Sequence, residues 1–179
     1  MLRILILLSS IVFCGARAGA VETPLTPDQE LVRSIYEELV GIDTTEAHGS
    51  TTKAAESASQ HLIDAGFAAE DVKILAPKPT KGNLVARLRG SGARKPLLLL
   101  AHLDVVEAKR EDWSVEPFKL LEQDNFFYGR GTLDDKAMAA IFIAIMMRMQ
   151  GDGVTPDRDV ILALTADEEA APTTASTGC

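Results

Sequence analysis

Pro96-Leu97-Leu98-Leu99-Leu100-Ala101-His102-Leu103-Asp104, residues 96–104, is an apolar run that ends on an imidazole and a carboxylate. Its leucines, Leu97–Leu100, do not alternate with polar residues. A run of that kind suits a strand buried on both faces, as in the middle of an α/β sheet. Open α/β sheets place ligands beyond the carboxyl ends of their strands, which is where His102 and Asp104 fall. In an extended segment residues i and i+2 share a side, so the two side chains face the same way. Imidazole suits zinc, and a neighbouring carboxylate can fix its tautomer. The tripeptide alone reads equally as an ordinary strand end with a solvated acid.

Working outward, Asp159–Leu164 is a second buried strand. Asn83–Leu88 alternates as a half-buried strand does, and Val72–Leu75 is a shorter one. Phe118–Leu121 and Phe126–Tyr128, joined through Gln123-Asp124-Asn125, read as a hairpin. Thr26, followed by Pro27, caps a helix on which Leu31, Ile35, Leu39 and Ile42 recur at helical spacing. Ser50–Gly66 is a second helix and Asp134–Gln150, stopped by Gly151, a third. Strands interleaved with covering helices predict an α/β fold, a three-layer α/β/α sandwich around a mixed, mainly parallel sheet.

The chain has 179 residues, 46% hydrophobic and 25% charged, with a formal net charge of −8. That length supports one domain with a real core. An acidic chain without a basic stripe argues against a nucleic-acid partner. Arg3, the 11-residue apolar run Ile4–Cys14 and the small-residue patterns Ala16-Arg17-Ala18 and Ala18-Gly19-Ala20 predict a cleavable signal peptide over 1–20. The run is too short for a stable membrane span, which needs about 20 residues. The bulky Phe13 before Cys14 argues against a lipoprotein site. The expected location is secreted or periplasmic. Cys14 leaves with the leader and only Cys179 remains, so no internal disulfide is expected. Residues 170–179 carry no bulky apolar side chain and are expected to be disordered.

Two further segments carry polar chemistry. Gly129-Arg130-Gly131-Thr132-Leu133-Asp134-Asp135-Lys136 places two glycines in a turn before a helix and two acids at its start. Those acids read either as caps in the field of the helix dipole or, for Asp134, as a carboxylate bridging two metals. The spacing is not that of a dinucleotide or phosphate loop. Asp167-Glu168-Glu169 follows the second buried strand and reads either as a solvated loop or as a divided pair. In the divided pair one acid binds a metal and the other takes a proton from water acidified by it. His48 and His61 read as surface or packing residues.

AHLDVV (101–106), YGRGTLDDK (128–136) and ADEE (166–169) occur in this order, each at a strand end or helix start. The set resembles the M20 family of metallopeptidases, which includes aminoacylases, carboxypeptidases and dipeptidases. ELVGIDTT (38–45) and EDWSVEPF (111–118) also resemble it, so the likeness runs from about Leu31 to Glu169. The resemblance implies a zinc-exopeptidase-like catalytic domain with two zinc ions, replaceable by cobalt or manganese, and small peptides or N-acyl amino acids as substrates. It implies that His102 binds one metal, Asp104 orients His102, Asp134 bridges both metals, Glu169 binds the second metal and Glu168 is the general base. The family pattern continues DEE-x-Gly, whereas Ala170-Ala171-Pro172 follow here. Its later acidic ligand, late histidine and dimerisation lid have no counterpart in this sequence. Residues 21–169 are therefore expected to be the N-terminal part of such a domain, incomplete, and 170–179 a divergent tail from a truncated or shifted reading frame. The competing expectation is an inactive fragment with at most weak metal binding. A plain secreted binding module is a third reading and leaves the ordered acidic motifs unexplained.

Overall fold

The computed structural model of the chain describes residues 24–169. The leader expected at 1–20 with Cys14, and the tail expected at 170–179 with Cys179, lie outside the described residues. The elements are α1 (Pro27–Gly41), α2 (Thr51–Asp64), β1 (Val72–Leu75), β2 (Asn83–Leu88), β3 (Leu97–His102), β4 (Leu121–Gln123), β5 (Phe126–Tyr128), α3 (Lys136–Gly151) and β6 (Val160–Thr165). The fold is α/β with a mixed sheet, as expected.

Local sequence explains where the helices start. Thr26 caps α1, Pro27 occupies the first turn, and Gln29 reaches back to the cap to complete a capping box. Ser50 caps α2 by accepting the Lys53 N–H. The third helix starts two residues later than the apolar pattern indicates: Asp135 is its cap residue, and the Lys136 N–H donates to the Gly131 carbonyl. Helix α2 presents Ala54, Ala55 and Ala58 to the core, and α3 presents Ala139, Ala140 and Ala144. These small side chains let the helices approach the sheet closely.

The sheet order is β1-β2-β6-β3. The β1–β2 and β2–β6 pairs are antiparallel and the β3–β6 pair is parallel. The register sets Leu84 opposite Leu164, Ala86 opposite Leu162 and Leu88 opposite Val160. These six make one apolar face, on which α2 and α3 pack, with α1 lying against α3. Among the described residues no helix lies on the opposite face. There Leu98 and Leu100, aligned with Ile161 and Ala163, are 55% and 56% exposed. The leucine run thus forms an edge strand covered on one face, not the central strand its composition suggests. Continuous apolarity reports the burial a strand is suited to, and among the described residues no helix supplies it on this face.

The hairpin differs by a shift of its first strand. Asp124 and Asn125 have φ of 53° and 65°, so they form a two-residue turn. Gln123 then pairs with Phe126 and Leu121 with Tyr128. Among the described residues no helix is long and apolar enough to cross a membrane.

Candidate metal centre

β3 and β6 run parallel, so the segments after them emerge side by side. His102 aligns with Thr165, and the Leu103 N–H donates to the Thr165 carbonyl at 2.8 Å, carrying the pairing one residue further. This places His102–Asp104 beside Ala166–Glu169. His102 and Asp104 are buried, at 8% and 3% exposure. Thr44 locks the corner from beneath: its hydroxyl donates to the Leu103 carbonyl at 2.7 Å.

His102 Nδ1 has only acceptors around it, the Asp104 carbonyl at 3.0 Å and Asp104 Oδ1 at 3.6 Å. Nε2 points outward and also meets only carboxylate oxygens, so both ring nitrogens face acceptors. Nε2 lies 2.8 Å from Asp134 Oδ1 and 3.9 Å from Glu168 Oε2. Asp104 holds the ring chiefly through its main chain, while its Oδ2 accepts the Glu169 N–H at 2.7 Å. Asp104 Oδ1 is buried and has no hydrogen-bond partner.

Asp134 arrives from the other direction, on the turn between β5 and α3. Gly131 is required there: its φ is 82°, and a Cβ would stand 2.9 Å from Val105 Cγ1. The Tyr36 hydroxyl donates to the Thr132 carbonyl at 2.8 Å, tying the turn to α1. The Asp134–Asp135 peptide bond is cis. Lys136, just beyond, is fully buried and donates through Nζ to the Ile42 carbonyl at 2.7 Å. Burial pulls its ammonium down to about 7, with the Asp43 charge opposing.

One donor atom from each of His102, Glu168 and Glu169 lies within 4.8 Å of the other two. Asp134 joins through His102 and its side chain is 70% exposed, facing the same opening. The acids crowd one another. Asp135 is raised above the usual carboxylate range by burial; His102 opposes the shift, and the negative charges of Asp134 and Glu168 add to it. Burial works against a charged His102, but the bonds to Asp134 and Asp104 outweigh it, and the ring holds its proton more firmly than a free imidazole. An outward-facing imidazole nitrogen and three converging carboxylates make a donor set that a divalent cation fits, the ion taking the place of the proton shared by His102 and Asp134.

All five expected residues, His102, Asp104, Asp134, Glu168 and Glu169, stand at this one end of the sheet. His61 stands apart, its Nε2 2.7 Å from Glu38 Oε2 on the α1–α2 surface. His48 lies in a separate groove with Asp43 and Glu107. Three residues that sequence reasoning did not single out also bear on the site. Lys81 pairs with Asp167 and Glu46, Asn83 accepts the Ala166 N–H, and Thr44 holds Leu103. Burial pulls Lys81 down, but the bonds and charges of Asp167 and Glu46 more than offset it and keep the ammonium charged. No local pattern marks these residues, because each acts through a contact distant in the chain.

Residues 98–178 match the model of peptidase family M20/M25/M40. The chain is 42% identical over 79 residues to the N-fatty-acyl-amino acid synthase/hydrolase PM20D1 of Homo sapiens, covering 44% of this chain and 16% of that protein. It is 38% identical over 106 residues to the succinyl-diaminopimelate desuccinylase of Delftia acidovorans, covering 58% of this chain and 28% of that one. The solved structure of the dipeptidase Dug1p from Saccharomyces cerevisiae superposes with a TM-score of 0.62 at 22% identity, over 78% of this chain and 32% of that one. The matches thus span between about a sixth and a third of these proteins' lengths.

Proposed function

The chain belongs to the M20 family of metallopeptidases, and from that premise we propose that its site is the water-activating part of a hydrolase cleaving amide bonds in small peptides or N-acyl amino acids. The observation that carries this reading is the meeting of His102, Asp134, Glu168 and Glu169 at the ends of two parallel strands. Zn2+ is the fitting ion, with Co2+ or Mn2+ as substitutes. His102 Nε2 would hold one ion, Asp134 would bridge to a second, and Glu169 would serve the second. The bound cations would supply Lewis-acid polarisation of the scissile carbonyl and would acidify water.

The chain's own residues do the rest. Asp104 fixes the His102 ring through Nδ1 and, through Oδ2, fixes the main chain of Glu169. Glu168, with a side chain 61% exposed, stands free beside His102 where water and substrate enter. Its carboxylate takes a proton from water as the oxygen bonds to the amide carbon. It then delivers that proton to the amide nitrogen as the carbon–nitrogen bond breaks, leaving a carboxylic acid and an amine.

A second reading is a site that binds metal weakly and does not turn over. It is favoured by how open the site is, with Asp134 and Glu168 mostly exposed. Metal analysis combined with hydrolysis of N-acyl amino acids and dipeptides separates the two. Bound zinc with turnover that Glu168→Gln abolishes supports the hydrolase. Bound metal without turnover supports the second reading, and a chain that takes up no metal overturns both. We also assign the protein to an exported compartment on the leader at 1–20. An exported product whose N-terminus still begins at Met1 would refute cleavage.

A further inference from the structure

The turn that carries Glu168 and Glu169 is tied down from a segment with no part in the chemistry above, Lys81-Gly82-Asn83. Asn83 Oδ1 accepts the Ala166 N–H at 2.9 Å, at the first residue past β6. Lys81 is only 5% exposed, and its Nζ lies 2.6 Å from Asp167 Oδ1 while also pairing with Glu46. Asp167 has a φ of 66°, in the left-handed region that Asp adopts more readily than most residues with a side chain, and it turns the chain sharply before Glu168. Two residues on, Asp104 takes the Glu169 N–H. Side chains thus hold Ala166, Asp167 and Glu169 in turn, and Glu168 is left to project.

The segment that does the holding is itself fixed. The Lys81 N–H donates to the Lys78 carbonyl at 3.0 Å, and the Thr80 carbonyl accepts the Thr51 N–H at 3.0 Å where α2 begins. A Cβ on Gly82 would come within 2.8 Å of Thr52 Cα, so the segment lies directly on that helix. A buried ammonium is costly to leave unpaired, so its position and that of Asp167 constrain each other.

We propose that Lys81 is a positioning residue of the metal centre: by its ion pair with Asp167 it sets the main chain from which Glu168 and Glu169 project toward an ion beside His102. This rests on the metal-centre reading above.

The test is Co2+ titrated into the full chain. Bound Co2+ is read by its visible absorption bands and its affinity, with far-UV circular dichroism and melting temperature alongside. The chains compared are wild type, Lys81→Met, Lys81→Arg, Asp167→Asn and the Lys81→Met/Asp167→Asn double variant. Lys81→Met is expected to weaken Co2+ by about 10–100-fold, the range for residues that support a metal ligand, and to change the shape of the bands. Lys81→Arg should restore most of the affinity. Asp167→Asn should reproduce the Lys81→Met loss, and the double variant should be no worse than either single one, because the two act as a unit. Wild-type affinity and bands in Lys81→Met would overturn the proposal, as would losses that add in the double variant. Should Lys81→Met fail to fold, Asp167→Asn decides alone, and unchanged Co2+ affinity there refutes the role of Lys81. A wild-type chain that shows no Co2+ bands would overturn the metal-centre reading and the proposal with it. Wild-type bands indifferent to Lys81 would overturn the proposal only.

Discussion

Leu162 and Leu100 lie on adjacent parallel strands, yet one is fully buried and the other 56% exposed. Asp104 and Glu168 repeat the contrast at the ends of those strands, one carboxylate shut in and hydrogen bonded, the other facing water. The molecule has a covered side, where α2 and α3 pack on one face of the sheet and α1 lies against α3, and an open side, where no helix lies among the described residues. The site straddles the boundary. Its fixed parts, His102 and Asp104, alternate with the core-facing Ala101 and Leu103 and are buried even though they share the face of Leu98 and Leu100. The groups proposed to meet water and substrate, Glu168 and Asp134, stand on the open side. A rigid support with exposed reactive groups is what preorganised chemistry needs.

The contrast predicts different consequences for the two kinds of carboxylate. Glu168→Gln keeps the shape of the turn and removes a proton acceptor. Hydrolysis should fall by about 10²–10⁴-fold, the usual worth of a positioned general base. Metal content, measured by elemental analysis, should not change. A Glu168→Gln chain that hydrolyses at the wild-type rate would remove Glu168 from the mechanism. One that loses its metal as well would move Glu168 from base to ligand.

Next comes the contrast between the two leucines. Leu162→Ala empties space beneath α2 and α3 and should cost about 2–5 kcal/mol of unfolding free energy. Leu100→Ala, on the uncovered face, should shift it by no more than about 0.5 kcal/mol and should improve solubility by shrinking an apolar surface. Urea denaturation measures both. Equal losses would mean that Leu100 is covered in solution, and that the open side is closed by another copy of the chain or by further polypeptide.

How much of this was legible in the sequence follows the same division. Features set by near neighbours along the chain could be read directly. The Thr26-Pro27 helix start is one; the gathering of His102, Asp134, Glu168 and Glu169 joins segments far apart in the chain and was legible only through the resemblance to the M20 family. The hairpin was misplaced because its turn depends on two positive φ angles at Asp124 and Asn125, and Gln123 reads equally well as turn or strand. The place of β3 at the sheet edge could not be read, since an apolar run shows what a strand tolerates and not which neighbours it has. Lys81 and Asn83 were invisible for a related reason. A lysine before a strand reads as a solvated charge until the fold brings Asp167 against it, 86 positions further along the chain.

Asp104 tests whether the covered half of the site supports the open half. Asp104→Ala removes the acceptor of the Glu169 N–H and the carboxylate beside His102 Nδ1, and leaves the carbonyl that the ring already uses. Metal affinity should drop by about 10–100-fold, measured by competition with a chromophoric chelator. His102→Ala removes a direct ligand and should cost more. The reverse order would make Asp104 the ligand and His102 the support.

The smallest effect is expected at the far end of the sheet, away from the site. Asp159 Oδ1 accepts the Gly90 N–H at 2.8 Å, and its other oxygen pairs with Arg87 across β2 and β6. The Gly90 amide holds the Asp159 carboxyl below its usual range; partial desolvation opposes this and Arg87 reinforces it. A carboxyl whose pKa is lower folded than unfolded stabilises the fold above the unfolded value of about 3.9. That contribution fades as the pH falls through the lower folded value. Asp159→Asn should therefore melt below wild type near pH 6, and the gap should close as the pH drops beneath about 3.9. Melting curves between these limits decide it. Two lines that stay parallel across the acid range would show that Asp159 acts by hydrogen-bond shape alone, and that its charge does nothing to join β2 to β6.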